Sequence, residues 1–151
     1  MLKYTNAEVT FREIPDEICL CINISGCKNN CKGCHSAWLA NDIGEELNSD
    51  SLNHLIKSNI GISCVCLMGG DHDCKTVNNL AKLIQTTNLK SAWYSGKSEL
   101  SELIDIDNFD YIKLGPYIEE LGPLDNPNTN QKLFKIENSE LINITYKFWK
   151  R

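Results

Sequence analysis

Basic clusters are missing from this 151-residue chain: no run of five or more Lys or Arg occurs, and the formal charge is −5. A nucleic-acid surface usually shows as a basic patch or stripe, so no nucleic-acid partner is expected. Long apolar runs are missing too. The longest are residues 18–24 (ICLCINI) and 64–68 (CVCLM), far short of the roughly 20 residues of a membrane-spanning helix. The opening stretch MLKYTNAEVTFREIP has no apolar core of signal-peptide type. These absences predict a cytoplasmic chain with no membrane partner. Internal repeats, low-complexity tracts and linker-like segments are lacking as well, which predicts a single domain over residues 1–151. Hydrophobic residues make up 42% and charged residues 23%, a composition that argues against disorder and for a packed core.

What the chain does have is cysteine, eight in 151 residues. In a secreted protein they would read as a disulfide framework. In a cytoplasmic one they read as thiols kept for metal or redox use.

Periodicity predicts strands at 5–14 and 18–24, then a loop rich in Gly, Asn, Lys and Cys from 25 to about 35. A helical spacing follows at 51–57 (Leu52, Leu55, Ile56), and a continuous apolar strand at 62–68, ended by Gly69-Gly70. Residues 77–89 read as helix, 91–94 as strand, 99–104 as a short helix and 110–114 as strand. The segments 133–136 and 141–148 look β-like. Strands alternating with helices predict βαβ units, an α/β fold with a mainly parallel sheet. Three of the strands end at Gly69, Gly96 and Gly115. Ligands in such sheets bind beyond the C-terminal strand ends, so those turns and the cysteine loop are expected to converge on one edge.

The loop Cys27-Lys-Asn-Asn-Cys31-Lys-Gly-Cys34-His35 is a C-x3-C-x2-C pattern. Soft thiolates suit iron–sulfur clusters and zinc. A fully ligated cluster normally takes four cysteines, so three would leave one iron open to a substrate. The zinc reading needs His35 or another cysteine as fourth ligand, and no second C-x2-C is present. Free thiols are the remaining reading. Cys19, Cys21, Cys64 and Cys66 fall two apart on strands and read as small core hydrophobes. Cys74 follows the Gly-Gly turn.

The cysteine loop resembles that of the radical S-adenosylmethionine (SAM) superfamily. Gly33-Cys34-His35 resembles the end of the cluster motif in the activating proteins of anaerobic ribonucleotide reductases. Met68-Gly69-Gly70-Asp71 resembles their Gly-Gly-acidic turn. The segment from Asp110 to Tyr117, with Gly115-Pro116 and the later Thr129-Asn130-Gln131, resembles their C-terminal segment. The likeness spans residues 8–136. Gly33 stands where many superfamily members carry an aromatic, and Lys113 where the family often has an apolar or acidic residue.

The resemblance implies a partial, open (β/α) barrel of the radical SAM type, since a closed barrel needs about 200 residues or more. It implies a 4Fe–4S cluster on Cys27, Cys31 and Cys34, with SAM chelated at the open iron. Reductive cleavage of SAM would yield a 5′-deoxyadenosyl radical, which takes hydrogen from a glycine of the partner reductase. An open barrel side suits such a protein substrate, and a flavodoxin-type donor is implied as the electron source. Gly33, Cys34 and His35 are expected to approach the adenine end of SAM. Gly69 and Gly70 would let the backbone pass close, and Asp71 would accept from the ammonium. Ser95 and Asn130 are expected to line the site. No side chain is assigned a catalytic role, because the cofactors carry the chemistry. Taken without the cysteine loop, Gly69-Gly70-Asp71 reads as a strand-to-helix turn with Asp71 as N-cap. Three other functions compete: an activase of another glycyl radical enzyme such as pyruvate formate-lyase, a small radical SAM enzyme acting on a modified purine precursor, and a non-enzymatic zinc or iron–sulfur protein.

Overall fold

The computed structural model of the chain describes residues 1–26 and 44–149. In chain order its elements are β1 (Leu2–Thr10), β2 (Cys19–Ile24), β3 (Glu45–Leu47), α1 (Ser49–Lys57), β4 (Cys64–Met68), α2 (Cys74–Gln85), β5 (Lys90–Tyr94), β6 (Tyr111–Leu114), β7 (Lys132–Glu137) and β8 (Glu140–Asn143). Short 3-10 turns lie at Asp71–Asp73, Ile106–Asn108 and Thr145–Phe148. All eight strands join one sheet in the order β3-β1-β2-β4-β5-β6-β7-β8.

The centre of that sheet follows from the two apolar runs. Successive side chains of a strand point to opposite faces, and both faces of β2 and β4 are covered. Leu20, Ile22, Ile24, Val65 and Leu67 enter the core beneath the helices, together with Leu52 of α1 and Val77, Leu80, Ala81 and Ile84 of α2. Cys19, Cys21, Cys64 and Cys66 face the other way, into a second core closed by Ile14, Leu124, Ile144 and Phe148. Burial on both faces is why these strands read as continuous rather than alternating apolar runs. The helices start on local signals. Asn48 and Ser51 form a reciprocal capping box on α1, and Asp73 caps α2 by accepting from the Thr76 N–H at 3.3 Å.

The expected mainly parallel, partial (β/α) barrel is corrected. Of seven pairings, β2–β4, β4–β5 and β5–β6 are parallel, and β1–β2, β1–β3, β6–β7 and β7–β8 are antiparallel. The fold is a mixed, sheet-rich one with two short α-helices among the described residues, not a helix-wrapped barrel. Hairpin-type strands extend the parallel centre on both sides. At the β7–β8 hairpin, Asn138 and Ser139 adopt φ of +52° and +62°, the left-handed pair that a two-residue hairpin turn needs.

The helix expected at 99–104 is a turn. There Ser101 Oγ accepts from the Leu103 N–H at 3.2 Å, and just beyond it Asp105 Oδ1 accepts from the Asp107 N–H at 3.0 Å. Such side-chain acceptors offer the backbone an alternative to the helical ladder. The tail does not run as strand to 148 either. Thr145 Oγ1 accepts from the Leu133 N–H at 2.9 Å, and its own N–H donates to Asn143 Oδ1 at 3.0 Å, which bends the chain after β8. Strand β3 had no sequence signal. Among the described residues no helix is long and apolar enough to cross a membrane.

Candidate functional site

Because β2, β4, β5 and β6 are mutually parallel, the segments that follow them leave from the same edge of the sheet. The expected convergence of the three glycine turns is therefore present, and β2 ends at the same edge. Cys27, Cys31, Gly33, Cys34 and His35, together with Trp38, lie outside the described residues.

The Gly69-Gly70 turn is built to be close. Gly69 and Gly70 adopt φ of +110° and +91°, values that favour glycine. A Cβ on Gly69 would sit 3.2 Å from the backbone oxygen of Ile24, and one on Gly70 would sit 2.7 Å from Val77 Cγ2. The turn thus packs on the last residue of β2, three positions before Cys27. Trp93 is buried and donates its indole N–H to the Gly69 carbonyl at 2.6 Å.

Asp71 does not cap α2; Asp73 does. The Asp71 carboxylate instead reaches the end of β5. It accepts from the Ser95 hydroxyl at Oδ1 and from the Gly96 N–H at Oδ2, 2.8 Å away. Ser95 is 1% exposed, and its N–H donates to the Lys113 carbonyl at 2.9 Å. The Gly69 N–H donates to the Tyr94 carbonyl at 3.0 Å, and the Gly115 N–H to the Lys97 carbonyl at 2.7 Å. The three turns are therefore laced sideways into one rim, and Gly69, Gly70, Asp71 and Ser95 are brought together in it.

Asn130 joins the rim from the C-terminal side. Gly115, at φ of +112°, packs against the Asn130 and Gln131 backbone, where a Cβ would come within 3.3 Å and 3.1 Å. Asn130 Nδ2 donates to the Pro116 carbonyl at 3.0 Å. Its Oδ1 is buried with no hydrogen-bond partner, alone in this among the described side chains. A buried acceptor left unmet costs about 1–3 kcal/mol. Lys113 is buried at 7% exposure, donating to the Gly115 carbonyl at 3.1 Å with its ammonium 5.3 Å from the Tyr94 ring centre.

Sequence reasoning missed the open cavity of about 510 Å³ on the face opposite α1 and α2, lined by Arg12, Glu13, Tyr94, Asp125, Gln131 and Phe148 among others. Burial, and then the charge of Glu8, pushes the Glu13 carboxyl up despite Arg12 beside it. The Tyr94 hydroxyl donates to the Glu13 carbonyl, and burial pushes its phenol well up. No sequence spacing marks these residues, because they come from five separate segments. His72 and His54 are exposed. Cys74 is buried, its thiol donating to the Asp71 carbonyl at 3.4 Å and pushed up by burial.

Among the described residues no group of three or more His, Cys, Asp or Glu is placed to hold a metal. A family model described as a 4Fe-4S single cluster domain matches residues 18–126, a span that takes in the cysteine loop and the whole rim as far as Pro116. No curated protein and no solved structure matches the chain.

Proposed function

The chain belongs to the family of 4Fe-4S single cluster domains, and from that premise we propose that it is an activase: it cleaves SAM reductively and leaves a glycyl radical on an anaerobic ribonucleotide reductase. The observation that carries this reading is the contact of the Gly69 turn with Ile24, at 3.2 Å for an added Cβ. It sets the segment expected to receive SAM against the start of the cysteine loop.

Cys27, Cys31 and Cys34 are the ligand set, three soft thiolates in a cluster-family chain. The cluster, when bound, supplies the electron that breaks the sulfonium bond of SAM. The chain's own residues bind and orient. Gly69 and Gly70 let the turn close onto Ile24 and Val77, which fixes where Asp71 stands. The Asp71 carboxylate, clasped by Ser95 and Gly96, is the group that accepts from the ammonium of SAM in this reading. That clasp holds it rigid before the ligand arrives. Asn130 Oδ1 is the acceptor for a ligand N–H or O–H. Gly33 and His35, neighbours of Cys34 in sequence, would approach the adenine end of SAM in this reading. A flavodoxin-type protein is the electron donor in this reading, and the cavity on the face opposite α1 and α2 leaves an approach for a protein substrate.

The test is anaerobic reconstitution with iron and sulfide, dithionite reduction and addition of SAM, with 5′-deoxyadenosine assayed by chromatography. Release of 5′-deoxyadenosine that Cys31→Ala abolishes is the expected result. Iron uptake without SAM cleavage would leave an iron–sulfur binding protein and end the activase reading.

A further inference from the structure

Four cysteines form a two-by-two ladder on the face of the sheet opposite α1 and α2. Cys19 of β2 stands opposite Cys64 of β4, and Cys21 opposite Cys66. All four are free thiols between 0% and 3% exposed, in one core with Tyr111 and Phe148. In-register residues on neighbouring strands are about 4.8 Å apart, inside the roughly 4.4–6.8 Å separation that a disulfide spans. Small hydrophobes would fill this core equally well, yet each cysteine faces another cysteine.

We propose that Cys21 and Cys66 are an oxidative-modification site, closed by a hydroperoxide to a disulfide that joins β2 to β4. The two rungs of the ladder differ. Cys21 is in contact with the Cys66 thiol and, at 3.4 Å, with the Thr10 hydroxyl. The bond from Cys66, against the cost of burial, holds the Cys21 thiol below its ordinary value. Burial, and then Cys21, pushes Cys66 well up. On the other rung, the bond with Cys19 and then burial push Cys64 far up. The thiolate is the nucleophile, and the Thr10 hydroxyl, 3.4 Å from the Cys21 sulfur, can donate to it there, so Cys21 attacks first.

The Cys21 sulfur attacks one peroxide oxygen, the O–O bond breaks, and the leaving hydroxide is protonated to water. Cys21 is then a sulfenic acid. The Cys66 sulfur attacks it, the S–S bond forms, and hydroxide leaves with the Cys66 proton as a second water. Two thiols and one peroxide give one disulfide and two waters, with two electrons passing from sulfur to peroxide. The bond ties the strand that runs into the cysteine loop to the strand that carries Gly69-Gly70-Asp71. It would pin both ligand-bearing segments when oxidant reaches the protein.

The experiment uses the full chain, isolated anaerobically, freed of iron by a chelator and treated with one equivalent of hydrogen peroxide. It is then alkylated in denaturant and digested with trypsin without reduction. Cys19, Cys21 and Cys27 share the tryptic peptide 13–28, and Cys64, Cys66 and Cys74 share 58–75. The expected product is these two peptides linked, with fragmentation at Leu20 and Val65 placing the bond between Cys21 and Cys66. Cys19→Ser retains the link. Cys66→Ala leaves a Cys21 sulfenic acid that a 1,3-dione reagent traps, which keeps the test decisive if Cys21→Ser does not fold. A bond at Cys19–Cys64, links only through Cys27 or Cys74, or Cys21 fully alkylated once the peroxide is consumed would each overturn the proposal.

Discussion

The indole N–H of Trp93 donates to the carbonyl of Gly69 at 2.6 Å, so a core side chain of β5 holds the turn that ends β4. Trp93→Phe keeps most of the ring, which stacks against Phe109 with centroids 6.0 Å apart, and removes the donor. Losing such a part-buried bond costs about 0.5–1.5 kcal/mol. A free energy of unfolding lowered by that amount in urea titration is the expected outcome. An unchanged midpoint would mean that the turn does not depend on this bond.

Gly69→Ala and Gly61→Ala separate backbone strain from crowding. Both glycines lie at positive φ, +110° and +96°, and share a left-handed penalty of about 1–2 kcal/mol. A Cβ on Gly61 meets nothing within 4 Å, whereas one on Gly69 meets the Ile24 backbone. Gly69→Ala is therefore expected to cost more by about 1 kcal/mol. Equal losses in chemical denaturation would remove the close approach of the turn to β2.

For Asp71→Asn, the expected change is in ligand binding more than in folding. The amide still accepts from one neighbour, but its NH2 faces a donor where Oδ2 took the Gly96 N–H. Loss of a charge-assisted bond to an ammonium is worth about 1.4 kcal/mol, or tenfold in affinity. Anaerobic equilibrium binding of SAM to the reconstituted protein measures it. Unaltered affinity would confine Asp71 to clasping Ser95 and Gly96.

Glu17 sets an acid limit on stability. Its carboxylate is 7% exposed and accepts from Tyr111 Oη at 2.7 Å, Lys90 Nζ at 2.8 Å and Ser63 Oγ at 2.8 Å. Burial opposes its ionisation, but the bonds from Lys90, Tyr111 and Ser63 outweigh that and hold the carboxyl below its ordinary value. A depressed acid stabilises the fold fully above its unfolded pKa of about 4.3, and that contribution is lost as pH falls below it through the folded pKa. Urea midpoints between about pH 5 and about pH 3 are expected to fall more steeply for the wild type than for Glu17→Gln. Parallel slopes would show that Glu17 does not set the acid limit.

Much of the sheet's centre was legible in the residues. The runs CLCINI and CVCLM are apolar on both faces and end near glycines, and β2 and β4 form there. The glycine turns were legible because Gly69, Gly70 and Gly115 occupy backbone angles that other residues seldom take. The cysteine spacing placed the chain among iron–sulfur proteins, and the family match agrees. These signals are local: a period, a turn residue, a ligand spacing.

Strand partners were not legible. A period of two is the same for a parallel and an antiparallel neighbour, so nothing in residues 132–143 announced that β7 and β8 would extend the sheet by antiparallel pairing. The three-residue β3 was too short to carry a pattern. The helix expected at 99–104 lost to side-chain acceptors that periodicity does not weigh. The rim's lacing, Trp93 to Gly69 and Asp71 to Ser95, joins residues 24 apart in sequence. The facing of Cys21 on Cys66 depends on the β2–β4 register. Residue types and their spacing settle which chemistry this chain can do, because ligand softness and backbone freedom belong to each residue. Which groups meet was settled by long-range pairing, because register and contact are properties of the packed whole.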